Sequence, residues 1–223
     1  IEYYKRNSSP MYICFLDASK AFDRVNHKML FSKLLHRNVP YGIVRVLCYW
    51  YVNQLFYVKW GTVMSESFNV TCGVRQGGIL SPVLFNVYID SLSEKLRSVS
   101  SGCYINSVCY NHLIYADDTV LLAPSPKALQ TPINVCVNYA KDHDLVFNTK
   151  KTKFMYIKSD NLRNLFVPTF YIGETVIRKV HEETYLGYIL NECFTDDDHM
   201  MKEMRNLEGK PLNLLSVFLK ALG

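Results

Sequence analysis

Two aspartates stand side by side at 117 and 118, between the apolar runs Leu113-Ile114-Tyr115 and Val120-Leu121-Leu122. A third, Asp17, closes the continuous apolar run Met11-Tyr12-Ile13-Cys14-Phe15-Leu16. Carboxylates beside so much apolar surface are expensive to desolvate unless a partner neutralises them, and two adjacent like charges raise the cost. A divalent cation answers both problems, and hard carboxylate oxygens suit Mg²⁺ or Mn²⁺ better than zinc. The plain alternative is an Asp-Asp pair filling a surface β-turn, where aspartate is favoured. The runs on either side of the pair predict a tight hairpin, and the run before Asp17 predicts a strand buried on both faces.

The remaining pattern mixes short strands with longer helical stripes. Over 26–36, apolar residues at 30, 31, 34 and 35 mark a helix that stops before Val39-Pro40. Residues 43–51 read as a second helix, and 55–60 with 67–72, joined through Gly61, as a hairpin. Ser81-Pro82 offers an N-cap hydroxyl followed by Pro at the first helical position; apolar residues at 85, 88, 89, 92 and 96 extend that helix, and Gly102 ends it. Ser125-Pro126 opens another helix toward Asp144, with Pro132 expected to kink it. Around Gly173 lies a further hairpin, 185–190 read as a strand, and 199–222 as a loosely helical end interrupted by Pro211. Elements of this size, mixed along one chain, argue for an α+β fold with helices packed on an antiparallel sheet.

Of the 223 residues, 49% are hydrophobic and 20% charged, which excludes a disordered polymer. No apolar run approaches the ~20 residues of a membrane-spanning helix, so no membrane partner is expected. The length allows one large domain or two small ones. The net charge of +5 permits a polyanionic partner, and its distribution says more. Residues 24–65 contain no Asp or Glu, yet carry Arg24, Lys28, Lys33, Arg37, Arg45 and Lys59 interleaved with Tyr41, Tyr49, Trp50, Tyr51, Tyr57 and Trp60. Cations for phosphates and rings for stacking are what a nucleic-acid surface needs. Seven cysteines without a C-x-x-C pair read as reduced thiols of an intracellular protein, and the spacing of Cys103, Cys109 and His112 matches no common zinc pattern. The chain opens on Ile1 with no secretory h-region, and reads as cut from a longer protein.

Five stretches, in one order, carry a family resemblance. Tyr115-Ala116-Asp117-Asp118 resembles the YxDD box of reverse transcriptases. The run from Phe15 through Asp17-Ala18 and Phe22-Asp23 resembles their first catalytic motif, in the form used by non-LTR (LINE-type) retrotransposons. Gly73-Val74-Arg75-Gln76-Gly77-Gly78, leading into Ser81-Pro82, resembles their Gln-Gly motif with its following helix. Phe147-Asn148-Thr149-Lys150-Lys151-Thr152-Lys153 is similar to the Asn-x-x-Lys-Thr motif, and Tyr185-Leu186-Gly187 to the primer-grip signature.

The resemblance implies a right-hand polymerase palm and RNA-directed DNA polymerase activity. Residues 1–190 would be palm with residual fingers, and 191–223 the incomplete start of a thumb or connection. Asp17, Asp117 and Asp118 would hold two Mg²⁺ (or Mn²⁺) about 3.5–4 Å apart, with the Ala18 carbonyl near them. Phe22 would select deoxynucleotides by crowding a 2′-hydroxyl, its plain alternative being ordinary core. Gln76 and Gly77 would flank nucleotide and template, Lys151 would serve as general acid to pyrophosphate, and Tyr185, Leu186 and Gly187 would grip the primer. The implied partners are an RNA template, a DNA primer, deoxynucleoside triphosphates and the rest of a retroelement polyprotein, including fingers, thumb and endonuclease. The implied setting is intracellular, nuclear or within a ribonucleoprotein. Upstream of Met11 the fingers are represented only by a stub with Lys5 and Arg6, so the piece alone is expected to bind nucleic acid without extending a primer. The alternatives are a group II intron maturase-like protein, or a catalytically silent domesticated nucleic-acid-binding remnant.

Overall fold

The computed structural model describes residues 1–157, 167–195 and 199–202. Along the chain run α1 (Glu2–Arg6), β1 (Met11–Asp17), a 3₁₀ turn (Phe22–Arg24), α2 (His27–His36) and α3 (Tyr41–Val52). Four two-residue strands follow: β2 (Leu55–Phe56), β3 (Lys59–Trp60), β4 (Val63–Met64) and β5 (Phe68–Asn69). Next come α4 (Ser81–Arg97), β6 (Cys103–Ile105), β7 (Val108–Tyr110), β8 (His112–Tyr115), β9 (Asp118–Ala123), α5 (Pro126–Asp142) and β10 (Lys153–Ile157). The described chain closes with β11 (Tyr171–Ile172), β12 (Thr175–Val176), β13 (Arg178–Lys179), β14 (Glu182–Tyr185) and β15 (Tyr188–Asn191).

The main sheet has the order β13-β10-β1-β9-β8. It is antiparallel except for the short edge strand β13, which runs parallel to β10. β1 is the central strand, and its six leading residues are all buried, as their unbroken apolar run requires. Alternation divides them. Tyr12, Cys14 and Leu16 join the cluster that contains Phe85, Tyr88 and Leu92 of α4 and Leu129, Ile133 and Cys136 of α5. Met11, Ile13 and Phe15 join a smaller cluster with Val120, Met155 and Ile157 on the opposite face.

Helix signals hold unevenly. Asn26 caps α2 by accepting from the Met29 amide at 3.2 Å, and Ser125 caps α5 by accepting from Ala128 at 3.3 Å. Ser81 does not cap α4: the cap position falls on Leu80, and Ser81 is the first, buried helical residue. Nor does Gly102 end that helix, which stops at Arg97. α5 runs through Pro132, whose missing N–H leaves the Ala128 carbonyl without its intrahelical donor. The Ser101 hydroxyl donates to that carbonyl at 2.8 Å instead.

The hairpin expected around Gly61 forms as two short ladders, β2 with β5 and β3 with β4. Residues 185–190 are not one strand. Tyr185 pairs with Tyr188 across a two-residue turn, so Leu186-Gly187 joins β14 to β15. The helical end expected over 199–222 lies largely outside the described residues.

Candidate active site

The sheet register brings two of the three aspartates together. Asp17, the last residue of β1, is the Cα partner of Asp118, the first residue of β9. Directly opposed residues point to one face, here the face of Phe15 and Val120. Asp117 sits in the two-residue turn joining β8 to β9, where Tyr115 pairs with Asp118 and Ala116 takes a left-handed φ of 52°. That conformation costs a non-glycine residue about 1–2 kcal/mol and aims the acidic pair at the strand end.

A cleft of about 340 Å³ opens over this point, lined by Phe15, Asp17, Asp118, Lys151, Lys153, Glu183 and Tyr185 among others. Asp117 is not among its lining residues. Lys151 Nζ lies 3.9 Å from Asp17 Oδ1 and is 70% exposed. Burial raises the pKa of Asp118, and the charges of Asp117 and Asp17 raise it further. Burial and the Asp118 charge likewise raise the Tyr185 hydroxyl.

Asp17 is held by residues to which the sequence reading gave no role. The Asn148 amide donates to the Asp17 carbonyl at 2.8 Å, and the Asp17 amide donates to Thr152 Oγ1 at 3.3 Å. Ala18 bridges to Phe147, and the Ser19 amide donates to the Val146 carbonyl at 2.7 Å. Asn148 Oδ1 accepts from the amides of Lys150 and Lys151, which folds the turn that presents Lys151. Thr152 is fully buried. A second unassigned pair is Lys153 with Glu183, 2.7 Å apart, which ties the β14–β15 hairpin to the Asp17 end of the sheet. Tyr185, two residues along β14, lies with its ring 6.2 Å from that of Phe15. A lysine opening an apolar strand and a glutamate thirty positions later give no local sign that they will meet.

On the other side of Asp17, Phe22 stacks on Phe85 at 4.6 Å and 15°, half-buried against the main core. The Gln-Gly loop is fastened to the same segment: the amides of Gly73 and Val74 donate to the carbonyls of Val25 and Phe22. Gly73 has a φ of 90°, and a Cβ there would meet the Asp23 carbonyl oxygen at 2.9 Å, so the position demands glycine. Gln76 is exposed and donates to Asp23 Oδ1 at 3.3 Å. Gly77 has a φ of 81° with open space around it. Of the predicted residues, Asp17, Asp118, Lys151 and Tyr185 line one cleft. Gln76 lines a separate cleft of about 390 Å³ with Asp23 and Arg75, while Leu186 and Gly187 form the turn beyond Tyr185.

The donor set suits a hard divalent ion: carboxylate oxygens, with the Asp118 pKa raised first by burial and then by the charges of Asp117 and Asp17. Among the described residues no three His, Cys, Asp or Glu side chains gather closely enough to enclose an ion unaided. Mg²⁺ fits that arrangement, since it commonly takes one or two carboxylates and leaves its other positions to water and substrate phosphates.

A reverse transcriptase (RNA-dependent DNA polymerase) family profile matches residues 1–190. The chain is 31% identical over 188 residues to the Retrovirus-related Pol polyprotein from type-2 retrotransposable element R2DM of Drosophila melanogaster, aligning 79% of itself with 17% of that protein. It is 26% identical over 193 residues to the RNA-directed DNA polymerase from mobile element jockey of Drosophila funebris, covering 84% of itself and 20% of that protein. The chain thus spans no more than a fifth of either relative's length. Its fold is similar to that of telomerase from Candida tropicalis in complex with a TWJ fragment of telomeric RNA, with a TM-score of 0.61 at 14% identity over 87% of this chain and 31% of that one. At that identity the likeness concerns the fold, an α+β polymerase palm with an antiparallel sheet packed against helices.

Proposed function

This chain belongs to the reverse transcriptase (RNA-dependent DNA polymerase) family, and on that premise we propose that it is the palm of a non-LTR retroelement polymerase. The reaction is transfer of a deoxynucleotide to a primer 3′-hydroxyl on an RNA template. The observation that carries this reading is the Asp17–Asp118 register, which sets two carboxylates on one face at the mouth of a cleft with Asp117 in the adjoining turn.

Reverse transcriptases work with divalent metal ions; here Asp17, Asp117 and Asp118 are the residues that would hold them, as Mg²⁺ or Mn²⁺. When bound, such ions supply the Lewis acidity that lowers the primer hydroxyl's pKa and neutralises the leaving pyrophosphate. The chain's own groups do the rest. Asn148 and Thr152 fix the backbone of Asp17 from both sides, and the Ala18 carbonyl follows it into the site. Lys151, exposed beside Asp17, is placed to pass a proton to pyrophosphate as general acid. Phe22, braced by Phe85, offers a flat ring under the sugar that leaves no room for a 2′-hydroxyl. Gln76 and Gly77 flank nucleotide and template, and the turn after Tyr185 grips the primer backbone.

The full enzyme is proposed to include fingers, thumb and endonuclease from the same polyprotein, with 1–190 as palm and residual fingers and 191–223 as the start of the thumb or connection. It is proposed to work inside the cell, in the nucleus or a ribonucleoprotein. No helix among the described residues is long and apolar enough to cross a membrane.

Two measurements test the proposal. Titrating Mn²⁺ into the chain should broaden the resonances of residues near 17 and 118, and Asp17→Asn or Asp117→Asn should abolish that broadening. Grafted in place of the matching segment of the R2DM polyprotein, the chain should extend a DNA primer on RNA with Mg²⁺. In that chimera Asp117→Asn should lower the rate more than about a hundredfold, roughly 2.7 kcal/mol of barrier. Metal binding indifferent to both substitutions, or extension indifferent to Asp117→Asn, would sink the reading.

A further inference from the structure

We propose that Ser93 is an activated nucleophile that takes up an acyl group, at a Ser93–His112–Asn111 trio on the side of the sheet away from the acidic cleft. The donor it fits is an activated ester carrying a negative charge. The proposal goes beyond the polymerase reading and does not rest on it.

His112 opens β8, the edge strand, opposite Leu121 of β9. Leu121 belongs to the helix-covered core, so the directly opposed His112 points toward α4 and away from the face of Asp17 and Asp118. Ser93 follows the buried Leu92 on α4, and its Oγ is 2.7 Å from His112 Nε2. His112 Nδ1 is in turn 2.7 Å from Asn111 Oδ1. Asn111 is 3% exposed, and its Nδ2 donates to the carbonyls of Leu96 at 2.6 Å and Val99 at 3.2 Å. Carbonyls only accept, so the amide is turned with its oxygen toward the ring. Nδ1 must then carry the proton of the neutral imidazole, which leaves Nε2 to accept from the Ser93 hydroxyl. Nucleophile, base and orienting group are thus hydrogen-bonded in sequence.

Two further observations favour reactivity over plain packing. Hydroxyls on these helices commonly turn back to their own backbone, as Ser98 does to the Lys95 carbonyl and Thr131 to the Lys127 carbonyl. Ser93 instead bonds across to the sheet edge. Burial lowers the His112 pKa, and the Arg97 charge lowers it further, so the ring is a neutral base at pH 7. Arg97 is exposed one turn along α4 from Ser93, where its guanidinium can meet an anionic donor and the developing oxyanion. In the step, Ser93 Oγ attacks the ester carbonyl carbon and gives its proton to His112 Nε2. The bond from that carbon to the leaving oxygen breaks, and the departing group takes the proton from His112. Ser93 sits where the amides of α4 bond one another, so the oxyanion is left to Arg97 and the acyl-serine should accumulate more readily than it turns over.

The test uses the 223-residue chain with mono-4-nitrophenyl glutarate as the anionic ester and 4-nitrophenyl acetate as the neutral one. Peptide mass spectrometry follows the adduct at Ser93 itself, apart from any reaction at cysteine or lysine. The glutaryl group should appear on Ser93 and not on Ser32, whose Oγ lies 3.4 Å from His36 Nδ1 with no amide orienting that ring. His112→Gln should slow the adduct about a hundredfold or more. The glutarate should react about two- to fivefold faster than the acetate, the worth of an exposed ion pair, and Arg97→Gln should erase that preference. From pH 5 to 8 the rate should rise as His112 loses its proton, with a midpoint below the ordinary 6.5, and then level off. Site mapping on the unaltered chain needs no variant to fold. An adduct absent from Ser93, or forming there no faster than at Ser32, overturns the proposal, and the trio is then a structural clamp between α4 and β8. So does a rate indifferent to His112→Gln in a variant that melts like wild type. Equal rates with the two esters overturn the anionic donor.

Discussion

The two faces of the central strand are both apolar, yet they carry different work. Tyr12, Cys14 and Leu16 of β1 face α4 and α5, two helices of 17 residues each that cover this side of the sheet. Met11, Ile13 and Phe15 face the other way, into a smaller cluster whose outer members include Tyr185 and Leu190 of the β14–β15 hairpin. At Asp17 and Asp118 that cover stops, and the cleft begins. A strand can thus be buried along its length and still end in an open acidic face, because one of its two covers runs out there.

The largest expected effect breaks the helix-covered side. Phe85 is fully buried in α4 and stacks on Phe22. Phe85→Ala should cost about 3–5 kcal/mol through the cavity it leaves. At about 2–4 °C per kcal/mol for a chain of this size, the melting temperature should fall by roughly 6–20 °C. The matching truncation on the other side, Tyr185→Ala, removes a ring pair of about 0.5–1.5 kcal/mol and should shift melting by a few degrees at most. Equal shifts in the two melting curves would erase the distinction between the faces.

A smaller effect comes from the Lys33 ammonium, half-buried in the helical layer. Lys33 donates to the Tyr88 carbonyl, Ser91 and Tyr139, all neutral, and lies over the rings of Tyr88 and Tyr139. Burial lowers its pKa to about 8, helped by the nearby charges of Lys95 and Arg37. Between pH 8 and the ordinary lysine value of 10.5 the unfolded chain therefore holds more protons at this group than the folded one. Stability from this group should rise with pH across that window and stay flat below it. The group is half solvated, which keeps the effect well under that of Phe85. Comparing melting at pH 8 and pH 9.5, wild type should gain relative to Lys33→Met; no difference in slope would mean that the ammonium is fully solvated.

Lys33 also shows where sequence reading reached its limit. It counted among the cations of an acid-free stretch, but whether a side chain turns outward depends on which helices close over it, and its partners on α4 and α5 lie more than fifty residues away. The elements that were legible carry their signal locally: the six-residue run of β1, the stripe at 85, 88, 89, 92 and 96 that is buried throughout α4, and the hairpin around Asp117-Asp118. The Asp17–Asp118 pairing needed only that hairpin and a central strand. What stayed hidden depends on distant partners. Thr152 beneath Asp17, Glu183 on Lys153 and the Ser101 hydroxyl on the carbonyl freed by Pro132 all join residues whose separation in sequence carries no hint of contact. Ser81 misled for the opposite reason, since its local pattern fits a cap while the buried position makes it part of the helix.

The smallest effect probes conformational strain at the site face against an ordinary turn. Among the described residues, three two-residue hairpin loops begin on a residue other than glycine: Asn106-Ser107, Ala116-Asp117 and Leu186-Gly187. Each begins with a residue at positive φ, 48°, 52° and 49° respectively. Asparagine tolerates that conformation, because its short polar side chain bonds locally; alanine and leucine do not. Glycine at 116 would relieve about 1–2 kcal/mol of left-handed cost and lose about 0.5–1 kcal/mol to its freer unfolded chain. Ala116→Gly should therefore stabilise by about 0–1.5 kcal/mol, at most about 6 degrees in melting. Asn106→Gly, with little cost to relieve, should be neutral or slightly destabilising. In the polymerase chimera Ala116→Gly should slow extension despite the added stability, since a looser turn aims Asp117 and Asp118 less tightly. If Ala116→Gly melts below Asn106→Gly, the positive φ at 116 stores no strain, and the contrast between a working turn and a plain one is lost.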